Sequence, residues 1–109
     1  MPNVACFHAQ QAAGKALKAA LVARDGDAAR EHSVVRLLLE WSNEEPDEAL
    51  LDNARRLDKF YISTRYPDAL GGLDPITIFG AAEAREAADR ANILVVFARE
   101  LADAERSRS

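Results

Sequence analysis

The sequence predicts an all-α protein built as an antiparallel up-and-down bundle of four main helices. Its composition is biased toward alanine, leucine, glutamate and arginine, residues that favour helices. Apolar residues recur at spacings of three and four in four separate segments, which is the period of a helix with a buried face. No segment shows the strict alternation of a strand. Glycine and proline concentrate between residues 63 and 80, a stretch that we predict to be irregular.

The first predicted helix runs from Asn3, its N-cap, to Arg24, and Gly26 suits the position just after a helix. One broad side of this helix consists of alanines: Ala5, Ala9, Ala12, Ala13, Ala16, Ala20 and Ala23. A second apolar strip contains Phe7, Gly14, Leu17 and Leu21. Because a surface helix needs only one apolar stripe, we predict that this helix is central and that both of its apolar faces are covered.

The second helix is predicted to follow Ser33, a favourable N-cap, and to end near Trp41. The third helix has Pro46 in its first turn, where a missing N–H costs little. Its inner face is formed by Leu50, Ala54, Leu57 and Tyr61. The fourth helix runs from about Ala81 to Ala104, and residues 105–109 are predicted to form a frayed polar tail.

Length and composition limit the possible classes of protein. A chain of 109 residues fits one domain, here residues 1–109. The net charge of −4 argues against non-specific binding of nucleic acid over the whole surface, but leaves room for a local basic patch. A single cysteine points to the cytoplasm. With two histidines it offers no zinc-ligand spacing, so neither a metal nor a cofactor is predicted. No apolar run is long enough to span a bilayer.

The remaining side of the first helix is a polar stripe of His8, Gln11, Lys15 and Lys18. The first three follow i, i+3, i+7 spacing, so their side chains converge on one surface. An imidazole, an amide and an ammonium can together hold a phosphate or the edge of a base. The alternative is an ordinary polar face that meets solvent or hydrogen-bonds to neighbouring helices.

A basic strip on the third helix is a second candidate surface. Its members are Arg55, Arg56, Lys59 and Arg65. With Tyr61 and Tyr66 nearby, arginine and aromatic groups could hold RNA through phosphate contacts and stacking. The alternative is a solvated face whose charges form weak local ion pairs with Asp52 and Asp58.

Neither histidine has the sequence context of a metal-independent ribonuclease. Such cleavage needs a base, usually histidine, near a cation that stabilises charge on the reacting phosphate. An arginine with four to six residues between it and a following histidine would supply that pair. Before His32 the required positions, 25–27, hold aspartate, glycine and aspartate, with Arg24 one residue too early. Before His8, positions 1–3 hold no arginine either. His32 is more simply interpreted as a structural residue beside the second helix.

Three blocks of this chain resemble the HEPN domain, a small helical domain of prokaryotes that is often encoded beside a minimal nucleotidyltransferase. They are Ala5–Ala19 with its Phe-His-Ala-Gln-Gln core, His32–Leu38, and Tyr61–Ala69 with its Arg-Tyr-Pro-Asp core. The resemblance implies a helical bundle that is frequently dimeric. It also implies one of two activities, either as a ribonuclease or as a non-catalytic partner or substrate-binding subunit of a nucleotidyltransferase.

The absent arginine–histidine pair favours the non-catalytic role. We therefore predict an accessory partner of a minimal nucleotidyltransferase, in a toxin–antitoxin-like pair, with nucleotide or RNA bound by one set of residues: His8, Gln11, Lys15, Arg65, Tyr66 and Asp68. The alternative is a ribonuclease toxin whose site is assembled across a dimer, with Arg65 beside His32 or His8.

Two expectations concern assembly. Because the first helix is apolar on two faces, we predict a homodimer in which the first or fourth helix crosses its symmetry mate, with Ala13 and Ala16 in the seam. Members of the family usually carry another helix before the Phe-His-Ala-Gln-Gln helix. Either a partner's surface takes its place here, or the recorded start lies within a longer natural frame.

Overall fold

A computed structural model describes residues 2–28, 30–42, 47–65 and 80–107, with side chains within 4–61 and 80–107. Over these ranges the chain forms four helices and no strand, which confirms the all-α prediction. The helices are α1 (Pro2–Asp25), α2 (Val34–Trp41), α3 (Glu48–Arg65) and α4 (Ala81–Arg106).

The two long helices α1 and α4 share the most extensive contact, and α1 also packs against α2 and α3. The prediction that α1 is central is therefore confirmed. Leu17 and Leu21 of α1, Leu57 of α3 and Leu94 of α4 are completely buried in one shared core. The described part is elongated, with extents of 49 × 22 × 22 Å.

The alanine side of α1 is only half covered. Ala13 and Ala20 are buried in the core of their own chain, whereas Ala12 and Ala23 are exposed. The prediction that Ala13 lies in a dimer seam is therefore wrong, because its contacts are already made within the protomer. The other described helices therefore leave part of this side of α1 uncovered, and its covering by a second copy stays a prediction.

The short helix α2 is capped at its start by Ser33 and held at its end by a charged side chain of α1. At its start, the Ser33 hydroxyl accepts a hydrogen bond from the Arg36 N–H, so Ser33 is the N-cap as predicted. At its end, the Arg24 guanidinium donates to the Trp41 carbonyl oxygen at 2.6 Å and lies 4.6 Å from the centre of the Trp41 ring. A cation at this position offsets the partial negative charge of a helix C-terminus.

The ends of the other helices agree with the sequence to within a few residues. Gly26 follows α1 with φ +83°, the left-handed conformation that glycine tolerates, as predicted. α3 begins at Glu48 behind Asp47, whose carboxylate accepts from the Ala49 N–H, and Pro46 lies outside the described residues. α4 continues to Arg106, two residues into the predicted frayed tail, and Arg106 there pairs with Asp103 at 3.6 Å.

Candidate functional site

A small cavity of about 90 Å³ lies between α1 and the segment that leads into α2. Its lining consists of Gln10, Gln11, Gly14, Lys15, Lys18, Glu31 and His32. We call it the α1 cavity. Gln11 and Lys15 of the predicted polar stripe therefore border one concave surface. His8 is exposed on the same helix, one turn before Gln11, but is not part of the lining.

The charge on α1 is of one sign over nearly its whole length. Before Asp25, its last residue, this helix contains no acidic side chain, although the whole chain has a net charge of −4. Among the described residues, neither Lys15 nor Lys18 takes part in a salt bridge. Two unpaired ammonium groups beside a cavity create a local positive potential that favours an anion.

Glu31 is the acidic residue of the cavity lining, and its carboxylate is already engaged. It accepts hydrogen bonds from the backbone N–H groups of Ser33 and His32 at 3.0 and 2.9 Å. These bonds hold the pKa of Glu31 below its ordinary value, with a smaller contribution from the nearby Arg36 charge. The carboxylate thus fixes the segment that carries His32 into position beside the cavity.

Gln10 is a buried polar residue that the sequence analysis did not identify. It is 1% exposed, and its Nε2 donates to the His32 carbonyl oxygen at 2.6 Å and to Asp58 Oδ1 at 3.0 Å. Its Oε1 accepts from Gln11 Nε2 at 2.7 Å. Because both donors and the acceptor of Gln10 are used, the orientation of the Gln11 amide at the cavity is determined from within the core. A glutamine among the buried positions of a helix was the sequence feature that could have revealed this role.

Asp58 connects three helices through its carboxylate. It accepts from Gln10 Nε2, from the Ser33 hydroxyl at 2.7 Å, and from the backbone N–H groups of Val34 and Val35 at 2.8 and 3.1 Å. The interpretation of Asp58 as a partner in local surface ion pairs is therefore wrong. Its charge instead satisfies the first N–H groups of α2, where a helix N-terminus favours an anion.

The rings of Phe7, Tyr61 and His32 form a stack beside this network. Tyr61 is 9% exposed and lies between the other two, with ring-centre distances of 5.8 Å to Phe7 and 6.1 Å to His32. The stack restrains the His32 ring, while the side chain remains exposed. This arrangement agrees with the interpretation of His32 as a structural residue. Because His32 also lines the α1 cavity, a role in ligand binding is a second interpretation.

The basic strip of α3 is not gathered into one free surface. Arg55 pairs with Glu48 at 2.8 Å, and Arg56 pairs with Glu86 at 2.9 Å. Lys59 is exposed, and Arg65 is the last residue of α3. The side chain of Arg65, and Tyr66 and Asp68 as a whole, lie outside the described part of the chain.

No cluster of histidine, cysteine, aspartate and glutamate that could hold a metal ion occurs among the described residues. Cys6 is completely buried. Burial raises the pKa of its thiol, and the Glu83 and Glu86 carboxylates act in the same direction, so this thiol is unreactive in the folded state. In the part of the chain that the structure describes, no helix is long and apolar enough to cross a membrane.

These features define an all-α domain with a small cavity bordered by two lysines and one glutamate, and without a metal cluster in its described part. Residues 2–101 match the family model of the HEPN domain, and the chain belongs to that family. The crystal structure of TT1696 from Thermus thermophilus is similar, with a TM-score of 0.79 and 41% sequence identity. The match covers 88% of this chain and 76% of that one. A search of curated proteins finds no match.

Proposed function

We propose that this chain is a non-catalytic HEPN protein that serves as the accessory or substrate-binding partner of a minimal nucleotidyltransferase. The pair is toxin–antitoxin-like, works in the cytoplasm, and contains this chain as a homodimer. In this role the α1 cavity binds the phosphate of a nucleotide or of an RNA end and presents it to the partner enzyme. Membership of the HEPN family supports this role.

The observation that carries the proposal is the α1 cavity with its two unpaired lysines. A volume of about 90 Å³ is well below the roughly 300–1,000 Å³ of pockets that enclose whole drug-sized ligands. It suits a phosphate group, while the sugar and base of the ligand remain outside. Lys15 and Lys18 supply the charge, and the oriented Gln11 amide supplies a hydrogen-bonding group.

The sequence supports a binding role over a catalytic one. No arginine precedes either histidine at a separation of four to six residues. No arginine is among the described residues that line the α1 cavity. We therefore assign binding rather than cleavage to this surface.

The deciding experiment is co-purification with a tagged nucleotidyltransferase encoded by the neighbouring gene. We expect a stable complex with the wild-type chain, and failure to associate would contradict the proposal.

Binding of ATP, measured by calorimetry, tests the cavity separately. Lys15→Gln should weaken it about tenfold or more, because a charge-assisted phosphate contact contributes about 1.5–3 kcal/mol. Lys59→Gln is the matched control, since Lys59 is exposed on α3 and does not line the cavity.

A second candidate function is a metal-independent ribonuclease, and one observation favours it. His32 lines the same cavity as Lys15 and Lys18, so an imidazole and two cations border one place where a phosphate could lie. RNA cleavage by the wild-type chain in the presence of a chelator, lost in His32→Ala but retained in His8→Ala, would establish this function. Absence of cleavage of every RNA sequence tested would contradict the ribonuclease function and leave the binding role as the proposal.

A further inference from the structure

The outer face of α4 carries an exposed stripe whose residues recur every three or four positions. The members that matter are Arg85, Asp89, Asn92, Val96, Arg99 and Asp103, all of them exposed. Val96 at 46% and its neighbour Ile93 at 48% are two of the large apolar side chains that the described part of the protomer leaves in contact with solvent. We call this surface the α4 stripe.

When two copies of the α4 stripe are placed antiparallel, the charges of one copy lie opposite charges of the other sign on the second copy. The first half of the stripe carries a cation and then an anion, Arg85 and Asp89, and its second half carries a cation and then an anion, Arg99 and Asp103. Neither Asp89 nor Arg85 nor Arg99 forms a salt bridge within the described part of the protomer. Asp103 pairs with Arg106 of its own helix at 3.6 Å, but both side chains are exposed, and such a pair contributes little free energy and can be exchanged for another. These charges are therefore available to a partner.

An antiparallel pair of α4 helices satisfies all of these charges in one register, in which the two-fold axis crosses the helix at the level of Leu94, whose own side chain is buried in the protomer core. Residues whose numbers are equally far from 94 then face each other. Asp89 meets Arg99 of the second copy, and Arg85 meets its Asp103. Asn92 and Val96 lie on either side of the axis, so Val96 meets Asn92 of the second copy.

Neighbouring registers are unfavourable. Sliding one helix by a turn in one direction places Arg85 opposite Arg99 of the second copy. Sliding it in the other direction places Asp89 opposite Asp103. Like charges directly opposed across an interface cost free energy and suppress the wrong pairing. The charge order thus selects one alignment.

A groove beside the stripe provides room for the second helix. It has a volume of about 520 Å³ and lies between α3 and α4. Arg85 and Asp89 of the stripe and the neighbouring Ile93 line it, together with Asn53 of α3. In the antiparallel arrangement, the C-terminal half of the second copy's α4 runs along this groove.

The exposed face of α1 is the less suitable surface for a second copy. It has apolar groups, with Val4 at 43% and Val22 at 47% exposed, but the charges between them are the basic residues His8 and Lys15. A symmetric contact would bring basic groups together without an acidic partner on the same face.

From the charge order, the exposed Val96 and Ile93 side chains and the adjoining groove, we infer that the α4 stripe is the surface through which two copies of this chain associate, as an antiparallel α4 pair centred at the level of Leu94. This inference rests on the homodimer of the proposed function and assigns its interface. It leaves the α1 cavity open to its ligand. A contact about 27 Å long between two helices is small for a protein interface, so the dimer is expected to dissociate in the micromolar range.

The test is a charge exchange followed by sedimentation velocity at low ionic strength over a micromolar concentration series. Asp89→Arg and Arg99→Glu, each alone, should raise the dimer dissociation constant about tenfold or more, because each places like charges together at two symmetric positions. The double variant Asp89→Arg with Arg99→Glu should recover most of the wild-type affinity. Lys59→Glu, an equal change of charge on α3, should leave it unchanged.

The outcomes separate the interface from the dimer itself. A wild-type dimer that is unaffected by both single substitutions would overturn the α4 interface and leave the homodimer standing. A wild-type chain that is monomeric at all concentrations would overturn both the α4 interface and the homodimer. It would do so even if the nucleotidyltransferase covered the α4 stripe in place of a second copy. Neither result bears on ATP binding to the α1 cavity. Circular dichroism melting curves verify that the variants are folded, and none of the exchanged residues contributes to the core.

Discussion

Replacing Asp58 by alanine removes the acceptor that joins α1, α2 and α3. The loss of the capping interaction at the α2 N-terminus costs about 1 kcal/mol, and the loss of the negative charge from that terminus costs about 0.5–1 kcal/mol. The interhelical bond from Gln10 to a charged acceptor adds about 1.5 kcal/mol. The expected destabilisation is therefore about 3–3.5 kcal/mol. A domain of this size has a total stability of roughly 5–15 kcal/mol, so the variant should be folded but much less stable.

Urea unfolding, followed by circular dichroism at one protomer concentration, measures this change. Asp52→Ala is the matched control, because Asp52 lies on the same helix but its side chain is 71% exposed and its only described ion pair, to Arg90, is 3.4 Å long. That control should change the stability by less than about 0.5 kcal/mol. If Asp58→Ala costs no more than Asp52→Ala, the network at the start of α2 contributes nothing to folding and the argument is refuted.

Three further predictions concern single residues. Glu31→Gln should lower the free energy of unfolding by about 1 kcal/mol or less at pH 6. Because folding depresses the pKa of Glu31 below its ordinary value, the difference between the two proteins should shrink as the pH falls through the depressed pKa. Urea titrations of both proteins measure this difference. Arg24→Met should cost about 1–2 kcal/mol by the same assay, since it removes a bond to a carbonyl and a cation–π contact. Gly14→Ala should raise the free energy of unfolding by about 0.5–1 kcal/mol, because glycine destabilises the interior of a helix relative to alanine. The added Cβ has room, since it would lie 3.9 Å from Leu37 Cδ1, an ordinary contact. A loss of stability instead would show that the glycine is required.

The helices of this protein could be predicted from local features of the sequence. Ser33 caps α2 and Gly26 ends α1 because these effects depend on a few adjacent residues. The covering of α1 could not be predicted in the same way. Helical periodicity shows which residues share a face, but Ala13 is buried and Ala12 is exposed because of where the other helices pack, which is a property of the whole bundle.

The candidate site was predictable only in part, and for a similar reason. The spacing of Gln11 and Lys15 places them on one side of α1 whatever the tertiary structure. Gln10 and Asp58 are 48 residues apart in sequence, and no local pattern indicates that one should donate to the other. The hydrogen bond exists because α1 and α3 pack together beside the start of α2.

The placement of polar groups divides the surface of the bundle between two roles. α1 presents a cavity with unpaired cations, whereas α4 presents a stripe whose charges balance one another under two-fold symmetry. An anionic ligand and a second copy of the chain would thus use different helices. Binding of one should leave the other largely unaffected, which distinguishes this arrangement from a ligand site built at the dimer interface.

The most direct test of the proposed binding role is a titration of the ¹⁵N-labelled protein with ATP, followed by two-dimensional NMR. The account predicts saturable shifts that are largest for the Gln11 side-chain amide and for the backbone amides of Lys15, Lys18 and His32, and that are strongly reduced in Lys15→Gln. Shifts confined to α3 and α4, or no shifts at millimolar ATP, would contradict it.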